Sequence, residues 1–174
     1  DFAPPANTSY ELHEIDPSLV ASMAPAFYLT APVDRIDHNV IYLNKSSAYE
    51  GIQLFTTLAH EGFPGHLYQT TGSWQAGLSP IRSILSHPGY TEGWATYVEM
   101  CSYYYAGLPQ DLASLLMHHQ SALLSLYASI DMGIHYDGWT LADTACFLQK
   151  YGISNISAAK NIFALVVSEP AHYL

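Results

Sequence analysis

The stretch His60-Glu61-Gly62-Phe63-Pro64-Gly65-His66 constrains this chain more than any other. Upstream of it, Ile52, Phe55 and Leu58 or Ala59 recur at spacings of three or four, which predicts a helix running up to His60. Pro64 interrupts that pattern, because it cannot donate a backbone hydrogen bond to the carbonyl of His60. Gly65 beside it accepts torsions that other residues resist. On an undistorted helix six residues turn the chain by about 600°, leaving the two imidazoles roughly 120° apart. A local bulge at Phe63 to Gly65 that absorbs two residues would return both histidines to one face, and such bulges are frequent at functional sites.

Two histidines on one face with a carboxylate directly after the first form a metal-binding pattern. The segment resembles the HExxH signature, in which the histidines grip zinc and the adjacent Glu polarises a bound water. A third ligand is expected from a second helix, and Thr91-Glu92-Gly93-Trp94-Ala95-Thr96-Tyr97-Val98-Glu99 supplies Glu92. His60, His66 and Glu92 would leave a fourth position open for water, as catalytic zinc requires. Glu99 falls two turns beyond Glu92 on the same face, where it could accept a hydrogen bond from a ligating imidazole. The plain alternative is a polar helix end followed by a Pro-Gly turn with exposed histidines. The same donor set also binds iron in non-haem oxygenases, although a Glu directly after the first His favours hydrolysis.

Around this motif the chain divides into a strand-rich beginning, 1–45, and a helical remainder, 46–174, read together as one domain. Tyr10 to Ile15 alternates, Ala26 to Thr30 is apolar and aromatic, and Asn39 to Asn44 is β-branched, which predicts a small antiparallel sheet. Helical patterns follow from Ser46, over Tyr90 to Tyr105, after Leu108-Pro109, after Thr140 and over Ile156 to Val167, with a loop from Gly72 to Pro80. The clearest period joins Leu112, Leu115, Leu116, His119, Leu123, Leu126, Tyr127, Ile130 and Ile134 in one apolar stripe, which makes His119 a core histidine. Thr140 with Asp143 three residues on resembles a capping box with Asp in place of Glu. The expected class is therefore α+β, predominantly α-helical, with a short antiparallel sheet at the N-terminal end.

Composition excludes several functions. With 15 acidic against 5 basic residues the formal charge is -10, and the few cations are scattered. Such a surface repels phosphate backbones and anionic headgroups, so nucleic acid is not an expected partner. No apolar run approaches the roughly 18 to 20 residues of a membrane span, so no membrane contact is expected of this domain. Cys101 and Cys146 have no CxxC spacing and read as buried free thiols rather than as zinc ligands or a disulfide framework. The start at Asp1-Phe2-Ala3-Pro4-Pro5 and the end at Leu174 look cut from something longer.

Two long motifs in order, His60 to Gln69 and Glu92 to Glu99, resemble those of the bacterial domain-of-unknown-function family eight-eighty-five, HE-x-x-PGH-x-x-Q and EGWA-x-Y-x-E. The likeness extends to the Val40 to Asn44 strand and to Asp131-Met132-Gly133-Ile134-His135-Tyr136-Asp137-Gly138-Trp139. It implies a zincin-like peptidase core with zinc (Zn2+) held by His60, His66 and Glu92, and Glu61 as general base. It also implies a large helical region upstream in the full-length chain, and relatives that are often predicted lipoproteins or exported proteins, hence a place outside the cytoplasm. Pro170-Ala171-His172 departs from the Pro-Gly-Gln-type segment that the family commonly carries there.

Asp131 and His135 are four apart on one helical face, so the carboxylate could orient the imidazole toward a developing oxyanion, with Tyr136 as a neighbour in the same role. The alternative is a local ion pair. The expected substrate is a peptide or another amide, and the Val40 to Asn44 strand is expected to hold an extended peptide by edge pairing. A non-catalytic peptide-binding module would keep this fold and use the cleft for recognition alone.

Overall fold

The computed structural model describes residues 2–3, 8–21, 23–46, 51–85 and 87–173 of the chain. They form two compact units, Asp1–Met117 and His118–Leu174.

In the first unit, strands β1 (Tyr10–Glu14), β2 (Ala26–Leu29) and β3 (Asn39–Leu43) form a sheet of order β1-β3-β2. β2 pairs antiparallel with β3, as expected, whereas β1 pairs parallel with it, so the sheet is mixed rather than antiparallel. The chain reverses once before β2 and again before β3, which returns β3 to the direction of β1. β3 lies in the middle with Val40 and Ile41 4% and 3% exposed. Its backbone is consumed by ladders on both sides, and the edge pairing expected of Val40 to Asn44 has no free edge to use. Buried asparagines brace both ends of the strand. Asn39 donates to Ser9 O and accepts from the Tyr28 hydroxyl, and Asn44 donates to the carbonyls of Val20 and Met23.

Four helices follow: α1 (Ile52–Glu61), α2 (His66–Gln75), α3 (Pro88–Ser102) and α4 (Gln110–His135), the last running on into the second unit. Residues 47–50, where the helical pattern was expected to begin, lie outside the described residues. The loop expected from Gly72 starts later, because α2 continues to Gln75. Leu67, directly after His66, is fully buried against Ala26 and Ile41, with Tyr28, Leu43, Leu58 and Phe63 packed around them. Burying one leucine contributes about 1.5–3 kcal/mol, and here it pins the start of α2 to the sheet. Cys101 is half-buried, but Cys146 is exposed, against the expectation of two buried thiols.

The second unit carries the end of α4 with α5 (Leu141–Gln149) and α6 (Ile156–Ser168). Thr140 and Asp143 make the reciprocal bonds of a capping box: the Asp143 carboxylate accepts from Thr140 N, and the Thr140 hydroxyl accepts from Asp143 N. Ile130, Leu148, Ala159 and Val166 form the core, with Tyr127 and Ile134 of the apolar stripe packed on it. Further up the stripe His119 is exposed, and so are Leu112 and Leu115, at 41% and 65%. Periodicity marks an apolar face, but burial needs a packing partner, and the α5–α6 core meets the stripe only near its C-terminal end. Among the described residues no helix is long and apolar enough to cross a membrane.

Gly133 lets the Trp139 ring lie against α4: a Cβ there would come within 2.3 Å of the indole. Gly133→Ala is therefore expected to destabilise the protein by about 1–3 kcal/mol, the usual cost of overpacking, as a lowered midpoint in urea unfolding followed by tryptophan fluorescence. An unchanged midpoint would contradict this packing.

Candidate metal centre

The bulge expected inside one long helix is instead a complete break. α1 stops at Glu61, Gly62 N closes onto Leu58 O at 2.9 Å, the Phe63-Pro64 peptide is cis, and α2 begins at His66 with Gly65 before it. Breaking the helix frees the second imidazole from the 3.6-residue period, so its spacing in sequence no longer sets its direction. The turn is so tight that a Cβ on Gly65 would sit 1.7 Å from the His60 carbonyl oxygen. Only glycine fits there. The Trp94 indole N–H donates to Pro64 O at 2.8 Å and Gln69 Nε2 donates to Tyr90 O at 3.2 Å, tying the turn and α2 to α3.

These restraints bring His60, His66 and Glu92 together. Glu92 Oε2 lies 3.5 Å from His60 Nε2 and 3.5 Å from His66 Nε2, and the three donor atoms lie within 4.8 Å of one another. Two ligands of a tetrahedral ion at 2.0–2.2 Å are about 3.3–3.6 Å apart, so both Glu92 separations match a shared cation. Side-chain exposure is 17% for each imidazole and 38% for Glu92, so the group is partly open to solvent. On the far side of His60, Nδ1 lies 3.1 Å from Glu99 Oε2, two turns along α3 from Glu92. In the neutral ring that contact selects the tautomer with hydrogen on Nδ1, which leaves the Nε2 lone pair available to a metal. The group has the composition and spacing to hold a metal ion.

The local charges point the same way. Contacts with His60 and then His66 hold the Glu92 carboxyl well below the usual carboxylate range. Burial pushes the His60 imidazole down as the largest single effect. Glu92, Glu99 and the charge of Glu61 together outweigh it and raise the group to about 9. Glu61 is raised, first by burial, against the opposing pull of a backbone N–H and of the two imidazoles. The N–H belongs to Tyr28 of β2, which donates to Glu61 Oε2 at 2.8 Å.

Asp131, His135 and Tyr136 belong to the second unit. His135 Nε2 lies 3.0 Å from Val166 O and 4.0 Å from Asp131 Oδ1, the latter beyond hydrogen-bond range. Asp131, 1% exposed, instead accepts from Ala171 N at 2.9 Å, and Tyr136 is 86% exposed. Sequence reasoning missed the Tyr28 amide, for which no signal exists because every non-proline residue carries an N–H. The Trp94 indole bonds the turn, a contact that aromatic character alone does not signal.

Fold and site together define a mostly helical α+β protein with a small mixed sheet and a two-histidine, one-glutamate group able to bind a metal. The chain belongs to the family described as "Bacterial protein of unknown function (DUF885)", whose model matches residues 1–170. Its fold is similar to the crystal structure described as "the putative lipoprotein from Colwellia psychrerythraea", at a TM-score of 0.75 and 23% identity over 98% of this chain. The chain spans 30% of that protein's length. No curated protein matches it.

Two outcomes follow from this geometry. Gly65→Ala should abolish metal uptake in equilibrium dialysis, since the clash is with backbone and cannot be relieved by a rotamer; uptake at the wild-type level would refute the turn. In the metal-free protein, a His60 value raised from 6.5 to about 9 means its stabilising contribution is complete below pH 6.5 and is lost as pH rises through about 9. A metal must displace that proton, so apparent affinity should climb by up to about tenfold per pH unit toward that value and then level off. An affinity independent of pH between about 7 and 9 would contradict it.

Proposed function

We propose that this domain is the catalytic part of a zinc-dependent hydrolase acting on peptides or related amides. The observation that carries the reading is the pair of 3.5 Å separations from Glu92 to both imidazoles, with a half-buried carboxylate, Glu61, directly beside them. Zinc bound to such a set supplies Lewis acidity to a water and to a scissile carbonyl. Glu61 has one oxygen committed to Tyr28 N–H. Its other oxygen takes the proton of the attacking water and returns it to the leaving nitrogen. Burial, by raising Glu61, moves it toward the range in which a base both accepts and releases a proton near neutrality. Glu99 holds the His60 ring in one orientation. The strongly acidic composition favours neutral or cationic substrates.

The test is hydrolysis of quenched fluorescent peptides, abolished by a chelator and restored by zinc. Glu61→Gln keeps the shape and removes the base, so zinc content should survive while turnover falls by about 10²-fold or more. Glu92→Gln deletes a charge from the ligand set and should lower zinc content instead. Equal metal loss in both variants, or full turnover in Glu61→Gln, would overturn these roles. Stoichiometric iron without zinc would replace hydrolysis by oxygenase chemistry.

A further inference from the structure

Glu61 stands beside the metal centre without belonging to its donor set. It follows His60 directly, and the charges of His60 and His66 act on it. It is also the last residue of α1, where the carbonyl ends of the helix disfavour a negative charge. Yet it does not join the set of donor atoms within 4.8 Å, which comprises His60, His66 and Glu92. Its Oε2 accepts from Tyr28 N at 2.8 Å.

The sheet explains why that N–H is available. Tyr28 lies opposite Ile41, and Asn44 N donates to Pro25 O at 2.9 Å. In an antiparallel ladder the pairs that exchange bonds alternate, so Pro25, Phe27 and Leu29 face β3 while Tyr28 turns its N–H to the open edge. β2 is an edge strand, and α1 packs along it. An edge amide left bare would need a partner, and so would a half-buried carboxylate at a helix end. Each satisfies the other.

We infer that the backbone N–H of Tyr28 is a positioning group that keeps Glu61 out of the metal's ligand shell, so that this carboxylate serves as base rather than as a fourth ligand. The inference rests on the metal and base roles given above. It assigns to the edge strand a function that depends on no side chain at position 28. The Tyr28 side chain is engaged elsewhere, its hydroxyl donating to Asn39 Oδ1 at 2.8 Å.

The test uses the full chain loaded with cobalt(II), whose visible bands change in position and intensity with the identity and number of its ligands. Tyr28→Pro removes the N–H without costing a ladder bond, because edge strands accept proline where the N–H faces outward. Replacing Tyr28 by its α-hydroxy acid makes the same deletion while leaving the side chain in place, and serves if the proline variant does not fold. Tyr28→Phe removes the hydroxyl alone. At equal cobalt content, the proline and ester variants should show shifted visible bands as Glu61 takes the position otherwise open to water, and Tyr28→Phe should match the wild type. Adding Glu61→Ala to either N–H deletion should restore the wild-type spectrum. Unchanged spectra in both deletions, or a change that persists without Glu61, would overturn the inference while leaving the metal centre intact. Failure of the wild-type chain to bind cobalt would instead remove the metal reading and this inference with it.

Discussion

Everything at the centre depends on one backbone contact, the approach of Gly65 to the carbonyl of His60. With any side chain at position 65 the turn would open, and α2 could not begin where it does. That start decides where His66 points and places Leu67 against Ala26 and Ile41. The buried leucine holds the turn closed from one side. Trp94 and Gln69 hold it from the other, donating to Pro64 O and to Tyr90 O. A steric requirement at one glycine is thus converted into the direction of an imidazole.

Three carboxylates, Glu61, Glu92 and Glu99, surround two imidazoles in a partly buried region of a chain that is acidic throughout. Such a set is electrostatically incomplete without added positive charge. In the metal-free protein a proton on His60 supplies it, which is why that group is raised to about 9. A divalent cation would supply it better, since it can be shared by Glu92 and both imidazoles at once. The acidic partners then divide by what restrains them: Glu92 by the two rings, Glu99 by the far nitrogen of His60, Glu61 by a strand amide.

The second unit is held by different means. Its strand-free core of Ile130, Leu148, Ala159 and Val166 is framed by a capping box at Thr140 and by an Asn155 cap on α6. Buried Asp131 fastens the C-terminal turn through Ala171 N, while His135 reaches Val166 O. Both residues that looked like an acid and its imidazole partner are engaged with backbone groups of the chain's last segment.

Much of this was legible in the residues. Alternation and β-branching located all three strands, period and caps located the helices from Tyr90 onward, and chemistry named His60, His66 and Glu92. These are local properties, carried by neighbours within a few positions of one another. What sequence could not decide was every relation that depends on which segments meet. The parallel placement of β1, the pairing of β3 on both sides, the exposure of His119 and the full break in place of a bulge all arise from packing between distant segments. The Tyr28 amide is the extreme case, because a backbone N–H has no letter in the sequence. Its role is decided by the register of a strand and the end of a helix 33 residues away, and only tertiary structure brings those two together.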